Sequence, residues 1–371
     1  MFTIALIGCG RVGINHIEGI AGNAEKLTLT ALCDPVIESA REKESEYKKR
    51  ISGANVTVYA DYREMLSKQK CDIVSIASES GKHCEIAVTC LEAGCHVICE
   101  KPMALSTKDA DKMILAAKKN NRKLGVCFQN RFNAPVRKLR AAVETGRFGR
   151  IFHGMVQVRW SRDDAYYKEA PWRGTWEQDG GTLMNQCIHG IDLLQWMMGG
   201  DAVRVHAQTR RFLRPIEAED FGTAIVEFKS GALGIIEGCA DVFPTNLNET
   251  LSVFGEKGSV VIGGLSVNKT ETWRFADAET VGDTEEKVLG ENEDDSSTLY
   301  GFGHIPLFKD FVNAVENDRK PAISGEDGKK ALEIILAVYK SQKTGTPVDL
   351  PCDFSTLDMK GYFESTTPQH E

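Results

Sequence analysis

The chain lacks any apolar run long enough to span a bilayer, and no basic segment precedes its opening run Met1-Phe2-Thr3-Ile4-Ala5-Leu6-Ile7. Neither a membrane helix nor a secretory leader is expected, and the reading is a cytoplasmic protein. Basic excess is missing too: 45 Lys and Arg stand against 53 Asp and Glu, for a net charge of −8. That excludes nucleic acid and membrane as principal partners, although a few local arginines suffice to hold a phosphorylated small molecule. There is no export-type disulfide framework, since the 11 cysteines are odd in number and scattered along a long chain. Free thiols in a reducing compartment are expected. The densest group, Cys84, Cys90, Cys95 and Cys99, falls on a helix and the strand after it rather than on converging turns. These are read as small buried hydrophobes, and no metal is expected.

What is present suits two domains: 371 residues, 42% hydrophobic and 26% charged. The first third alternates strand-like runs (Phe2–Ile7, Leu27–Cys33, Asp72–Ala77, Cys95–Cys99, Leu124–Phe128) with helical stretches. Such alternation implies a parallel sheet with helices on both faces. Beyond about residue 150, strands dominate: Ile151–Trp160, Val203–Leu213, Phe221–Phe228, Ala232–Ala240, Thr250–Phe254, Ser259–Ile262 and Val267–Phe275. One large, mostly antiparallel sheet is expected there. Two helices return late, around Pro306–Glu316 and Asp327–Ser341, and the acidic stretch Val281–Ser297 reads as an exposed loop or lid.

The first strand runs into Gly8-Cys9-Gly10-Arg11-Val12-Gly13. This G-x-G-x-x-G follows a strand and opens a helix, the context in which it binds a dinucleotide. The first glycine allows the tight turn, the second lets the backbone approach a pyrophosphate, and the third lets helix pack on strand. Partial positive charge at the helix N-terminus favours the phosphates. Asp34 ends the second strand about 20 residues on, where a carboxylate meets the ribose hydroxyls and repels a 2′-phosphate. NAD is therefore preferred over NADP. The alternative for Asp34 is a turn cap before Pro35.

Glu100-Lys101-Pro102 follows the Cys95–Cys99 strand, at the carboxyl end of the sheet where ligands gather. A lysine there can donate a hydrogen bond to a substrate hydroxyl and stabilise alkoxide character. Far downstream, Gly180-Gly181-Thr182-Leu183-Met184-Asn185-Gln186-Cys187-Ile188-His189-Gly190-Ile191-Asp192 places Asn185 and His189 four apart, on one face if the segment is one helix. His189 is a candidate base and Asn185 a holder of a neighbouring hydroxyl. Asp192 either orients His189 or serves the helix structurally. Aromatic and charged residues crowd Trp160–Gln178, and a carboxylate or phosphate can be held in a bidentate way by Arg173 or Arg131. A loop packed by its own aromatics is the competing reading of that stretch.

Together these motifs resemble the Gfo/Idh/MocA oxidoreductases over nearly the whole chain. The likeness rests on the glycine loop, on Ala93-Gly94-Cys95-His96-Val97-Ile98-Cys99-Glu100-Lys101-Pro102, on Gly180–Asp192 and on the tail Tyr339–Pro351. It implies an α/β protein: an N-terminal Rossmann doubly wound parallel sheet over residues 1–125, then a C-terminal α/β domain over 126–371 with a large open sheet. The second domain would bind substrate and form a homodimer or homotetramer, its late helices packing back on the first. The resemblance makes Lys101 and His189 the catalytic pair, with Asn185 beside them. It assigns Gly8, Gly10, Arg11, Val12, Gly13, Asp34, Ser78, His83, Glu100 and Lys101 to the cofactor. Arg131, Tyr166, Trp172, Arg173, Asn185 and His189 are assigned to a sugar or nucleotide-sugar substrate.

Two departures matter. Many inositol-type members carry aspartate where this chain has Asn185, and Ser78-Glu79-Ser80 replaces the threonine-proline-asparagine type of turn near the nicotinamide. The asparagine, with Trp172-Arg173-Gly174 ahead of it, is similar to enzymes that oxidise the 3-hydroxyl of UDP-N-acetylglucosaminuronate. The expected reaction moves hydride from a ring carbinol to nicotinamide C4. The alternatives are an NAD-using glycosidase or lyase with transient C3 oxidation, an inositol dehydrogenase and, against the retention of both Lys101 and His189, a non-catalytic dinucleotide sensor.

Overall fold

In a computed structural model that describes residues 1–277 and 303–366, the chain forms two units, each with its own sheet. The acidic stretch expected as a loop or lid lies outside the described residues. The first unit takes in Met1–Ala104, Lys108–Gln129 and Phe302–Lys329, and the second takes in the rest.

In the first unit the strands are β1 (Phe2–Ile7), β2 (Leu27–Cys33), β3 (Thr57–Tyr59), β4 (Ile73–Ile76), β5 (His96–Cys99) and β6 (Leu124–Val126). The intervening helices are α1 (Gly13–Ala21), α2 (Ile37–Arg50), α3 (Tyr62–Lys68), α4 (His83–Glu92) and α5 (Thr107–Lys119). All neighbouring strands pair parallel, in the order β3-β2-β1-β4-β5-β6. This is the doubly wound order whose connection reverses direction beside β1, where a dinucleotide crevice forms. Helices cover both faces, so the strands are apolar on both sides: Ile4, Ala5, Leu6, Ile73, Val74, Val97 and Ile98 are wholly buried. Helix His304–Glu316 packs against α1, with the Phe308 ring over Gly19.

The second unit opens with α6 (Ala134–Glu144), β7 (Ile151–Arg159), α7 (Asp164–Lys168), α8 (Thr182–Asn185) and α9 (Ile188–Met197). Strands β8 (Ala202–Arg210), β9 (Phe221–Phe228), β10 (Leu233–Cys239), β11 (Asn248–Gly255), β12 (Gly258–Gly263), β13 (Lys269–Phe275) and β14 (Val348–Asp349) follow. They form one sheet of eight in the order β13-β12-β11-β7-β10-β9-β8-β14. Every pairing is antiparallel except β10 with β7, which run parallel. Helices α8 and α9 lie against β7, β9, β10 and β11. They come close because the strands beneath carry no side chain at key points: a Cβ on Gly238 would meet Cys187 Sγ at 2.6 Å. Along β8 and β9 alternate residues are exposed on the opposite face. All 11 cysteines are free and nine are buried, as small hydrophobes. Among the described residues no helix is long and apolar enough to cross a membrane.

Candidate active site

The glycine loop of the first unit is shaped by its surroundings. Gly8 has φ +90°, and a Cβ there would lie 2.3 Å from the Ala77 carbonyl carbon, so only glycine fits against the strand end of β4. Gly10 is the opposite case: a Cβ would meet nothing within 4 Å. The open space over Gly10 is where a diphosphate can approach the backbone. A Cβ on Gly13 would have only an ordinary contact, 3.5 Å from the Gly8 oxygen. Asp34 ties the loop to β2: one carboxylate oxygen accepts the Cys9 N–H at 2.7 Å and the other the Val36 N–H at 2.8 Å. Both readings of Asp34 thus have a physical basis, since it caps its own turn and also stands beside the cradle. Arg11 is exposed and Val12 half-buried next to it. The donor set fits a dinucleotide.

Lys101 is half-buried just beyond β5, and the Lys101-Pro102 backbone is held at both ends. Glu100 Oε2 accepts the Lys101 N–H at 3.1 Å, and the Pro102 carbonyl accepts from His83 Nδ1 at 2.8 Å. Glu100 and His83, expected from the sequence beside the cofactor, both make hydrogen bonds within the protein. The Glu100 side chain turns inward, its Oε1 3.0 Å from His16 Nε2 and 3.5 Å from His304 Nε2. His16 Nδ1 lies 2.7 Å from the Ser75 hydroxyl, so a neutral ring both donates to Glu100 and accepts from Ser75. Burial lowers the His16 pKa, which suits that neutral form. Burial would push the Glu100 carboxyl up, but the contacts from His16 and His304 outweigh it and hold the group well below the usual carboxylate range. His83 is buried with its other nitrogen 3.0 Å from the Ser78 carbonyl, and burial lowers its pKa too. It joins the Ser78 turn to the Lys101–Pro102 turn. His16, Glu100 and Cys127 also bring possible metal-ligand atoms within 4.8 Å of one another. The hydrogen bonds of His16 and Glu100 explain that cluster without an ion.

In the second unit, Asn185 and His189 do not share one helix as their spacing suggests. Asn185 ends α8 and His189 lies in the first turn of α9. The Gln186 and Cys187 N–H groups both return to the Thr182 carbonyl, at 2.9 and 3.0 Å, and close α8. Beneath the turn into α8 is a group that sequence reasoning missed. Glu219 Oε1 accepts the Leu183 N–H at 2.9 Å and the Tyr339 hydroxyl at 3.0 Å, and burial pushes its pKa up to about 8. Asp179, also missed, accepts from the Asn185 amide.

Arg131 is buried and spent. Its Nε and Nη2 meet the two oxygens of buried Asp192 at 2.7 and 2.6 Å, and its guanidinium lies over the Trp196 ring. This bidentate pair gives Asp192 a structural role and engages the Arg131 guanidinium that the sequence reading offered to a substrate. Arg173 is held within its loop, bonded to Glu169 at 2.6 Å and stacked 4.2 Å from the Tyr166 ring centre. Trp160, Tyr167 and Trp176 are core residues, whereas Tyr166, Trp172 and Arg173 form a half-buried aromatic and cationic face.

Strand order, glycine cradle and the carboxylate closing β2 define a dinucleotide-binding protein of the Rossmann class. Residues 2–128 match the model of an oxidoreductase family with an NAD-binding Rossmann fold, and residues 136–261 match the GFO/IDH/MocA C-terminal domain. The chain belongs to this GFO/IDH/MocA family and is an NAD-binding oxidoreductase. It is 30% identical to the myo-inositol 2-dehydrogenase of Thermotoga maritima, over 94% of this chain and 98% of that one. It is 26% identical to the D-glucoside 3-dehydrogenase of Escherichia coli, over 94% and 97%. The crystal structure of the WlbA dehydrogenase from Bordetella pertussis, in complex with NADH and UDP-GlcNAcA, superposes with a TM-score of 0.87 at 35% identity, covering 95% of this chain and 98% of that one.

Proposed function

We propose that the protein oxidises a ring secondary alcohol, the 3-hydroxyl, of a UDP-N-acetylglucosaminuronate-like sugar acid. The observation that carries this is the 35% identity, over 95% of the chain, to a dehydrogenase solved with NADH and UDP-GlcNAcA. Asn185 and Trp172-Arg173 support the same reading.

Gly8, Gly10 and Gly13 with the N-terminus of α1 hold the pyrophosphate, and Asp34 accepts from the ribose hydroxyls while repelling a 2′-phosphate. NAD, when bound, supplies the hydride acceptor. The His189 imidazole takes the proton from the substrate hydroxyl. Lys101 donates a hydrogen bond to the same oxygen and stabilises its developing negative charge. Glu100 holds the Lys101 N–H, and His83 holds the carbonyl of Pro102 that follows it. Asn185 holds a neighbouring ring hydroxyl, and the face formed by Tyr166, Trp172 and Arg173 receives the sugar ring or its carboxylate.

The test is NADH formation from NAD with UDP-N-acetylglucosaminuronate, myo-inositol and a methyl glucoside in turn, beside Lys101→Ala and His189→Ala. The proposal requires NADH from the UDP-sugar acid, lost in both variants while NAD affinity persists. NADH from myo-inositol alone would replace it with a cyclitol dehydrogenase, the reading favoured by the Thermotoga relative. Full turnover in either variant would remove that residue from the chemistry.

A further inference from the structure

The Asn185 amide stands between two groups that leave it one orientation. Asp179, only 2% exposed, accepts from Asn185 Nδ2 on one oxygen and from the Gly174 N–H, at 2.7 Å, on the other. A carboxylate has no proton to give, so only the NH₂ end of the amide can face it. On the other side Gln186 Nε2 lies 3.2 Å from Asn185 Oδ1 and 3.2 Å from the Tyr166 hydroxyl. Gln186 thus meets the amide oxygen with a donor. A hydrogen-bonded line runs from Gly174 through Asp179, Asn185 and Gln186 to Tyr166, whose carbonyl accepts from Arg173. Asp179 is anchored in turn by its own N–H on the Thr175 carbonyl at 3.1 Å. Within residues 181–190, Asn185 is the one residue that is not buried.

We propose that Asp179 is a positioning residue for the oxidation. It fixes the NH₂ end of Asn185 and polarises the amide, so that Oδ1 is turned and strengthened as an acceptor for a substrate ring hydroxyl. A charge-assisted bond to the NH₂ group draws amide electron density toward the oxygen, and hydrogen bonds in a chain reinforce one another. Asp179 and Asn185 together then supply through an amide what a carboxylate at position 185 would supply directly. This rests on the reading that Asn185 touches substrate.

The pair predicts its own genetics. Asp179→Asn keeps an oxygen for the Gly174 N–H but no longer dictates which end of Asn185 faces it. Asn185→Asp sets two carboxylates in contact, and one must then stay protonated. Each single change is expected to lower kcat for UDP-N-acetylglucosaminuronate oxidation by about ten-fold or more with the KM for NAD unchanged. The double swap, with one carboxylate and one amide in exchanged places, is expected to return to within about three-fold of the parent, the coupling that contacting residues show. A second readout needs no turnover. In ¹⁵N–¹H spectra of the full chain, the Asn185 side-chain amide should carry one strongly downfield, slowly exchanging proton that Asp179→Asn removes.

The positioning role is overturned if Asp179→Asn leaves both kcat and the Asn185 amide signal unchanged while Asn185→Ala lowers kcat. It is also overturned if the double swap is no better than the singles. Unchanged kcat in Asn185→Ala would remove Asn185 from the substrate, and the proposal with it. If the parent fails to oxidise this sugar acid, the substrate assignment falls, and the amide spectrum still decides whether Asp179 holds Asn185.

Discussion

The Glu219 carboxyl group occupies the space that a side chain at position 181 would need: a Cβ on Gly181 would lie 1.8 Å from Glu219 Oε2. That vacancy lets a buried acid stand directly under the turn into α8. There its main chain also accepts the Thr182 N–H at 2.9 Å. Gly181→Ala drives the two groups together where neither can move to solvent. Its expected cost is at the upper end of the overpacking range, about 3 kcal/mol. A thermal melt checks it, and an unchanged midpoint would mean the turn can shift aside.

Because burial pushes the Glu219 pKa up to about 8, this residue makes stability depend on pH. The folded pKa lies above the unfolded one, so the folded state holds the extra proton between the two. Stability therefore falls as pH rises from near the ordinary carboxyl value toward 8, by at most about 1.4 kcal/mol per unit, and levels off above it. Glu219→Gln, which cannot lose that proton, should flatten this decline. Equal pH slopes in the two proteins would contradict the buried, protonated acid.

Gly8 and Gly10 are expected to separate stability from binding. Gly8→Ala meets the Ala77 backbone at 2.3 Å in a left-handed conformation, and should lower the melting midpoint markedly. Gly10→Ala meets nothing within 4 Å, and should leave the midpoint alone while weakening NAD binding by ten-fold or more (about 1.4 kcal/mol). Calorimetric titration with NAD beside a melt of each variant decides it.

Asp34→Ala removes the acceptor of both the Cys9 and the Val36 N–H groups as well as the carboxylate offered to the ribose. NAD affinity should fall and the preference over NADP should narrow. Titrations showing both affinities unaltered would leave Asp34 as a turn cap alone.

Glu100→Ala leaves His16, His304 and the Lys101 N–H facing an empty buried site. Removing one side of a buried, hydrogen-bonded cluster costs about 3–5 kcal/mol. Glu100→Gln, which keeps an acceptor toward the Lys101 peptide, should fold and bind NAD but turn over more slowly. A glutamine variant with parental kcat would show that the charge does not matter to Lys101.

The strand and helix series of the first unit was legible because parallel strands buried on both faces read as continuous apolar runs. Ile4–Ile7 is such a run, and Ile73–Ile76 is another broken only by the buried Ser75, each set off by the glycine loop or polar turns. The glycine spacing and Asp34 were legible for a related reason: the cradle is local, and each part has a steric or charge requirement of its own. The break between Asn185 and His189 was not, since helical spacing continues through Gln186-Cys187. What stops the helix there is the return of both N–H groups to Thr182 as Cys187 settles against Gly238. Arg131 looked available to a ligand because its partner, Asp192, is 61 residues away.

By itself, then, the sequence determined that this chain builds a dinucleotide cradle ahead of a large sheet, because the turn, the helix start and the alternation are dictated within a few residues. Only the tertiary structure decided which acids and imidazoles are charged and which side chains face outward. Glu100 meets His16 across 84 residues and Glu219 meets Tyr339 across 120. The state of a buried polar group depends on whether burial or its partners dominate, and folding alone brings those partners together.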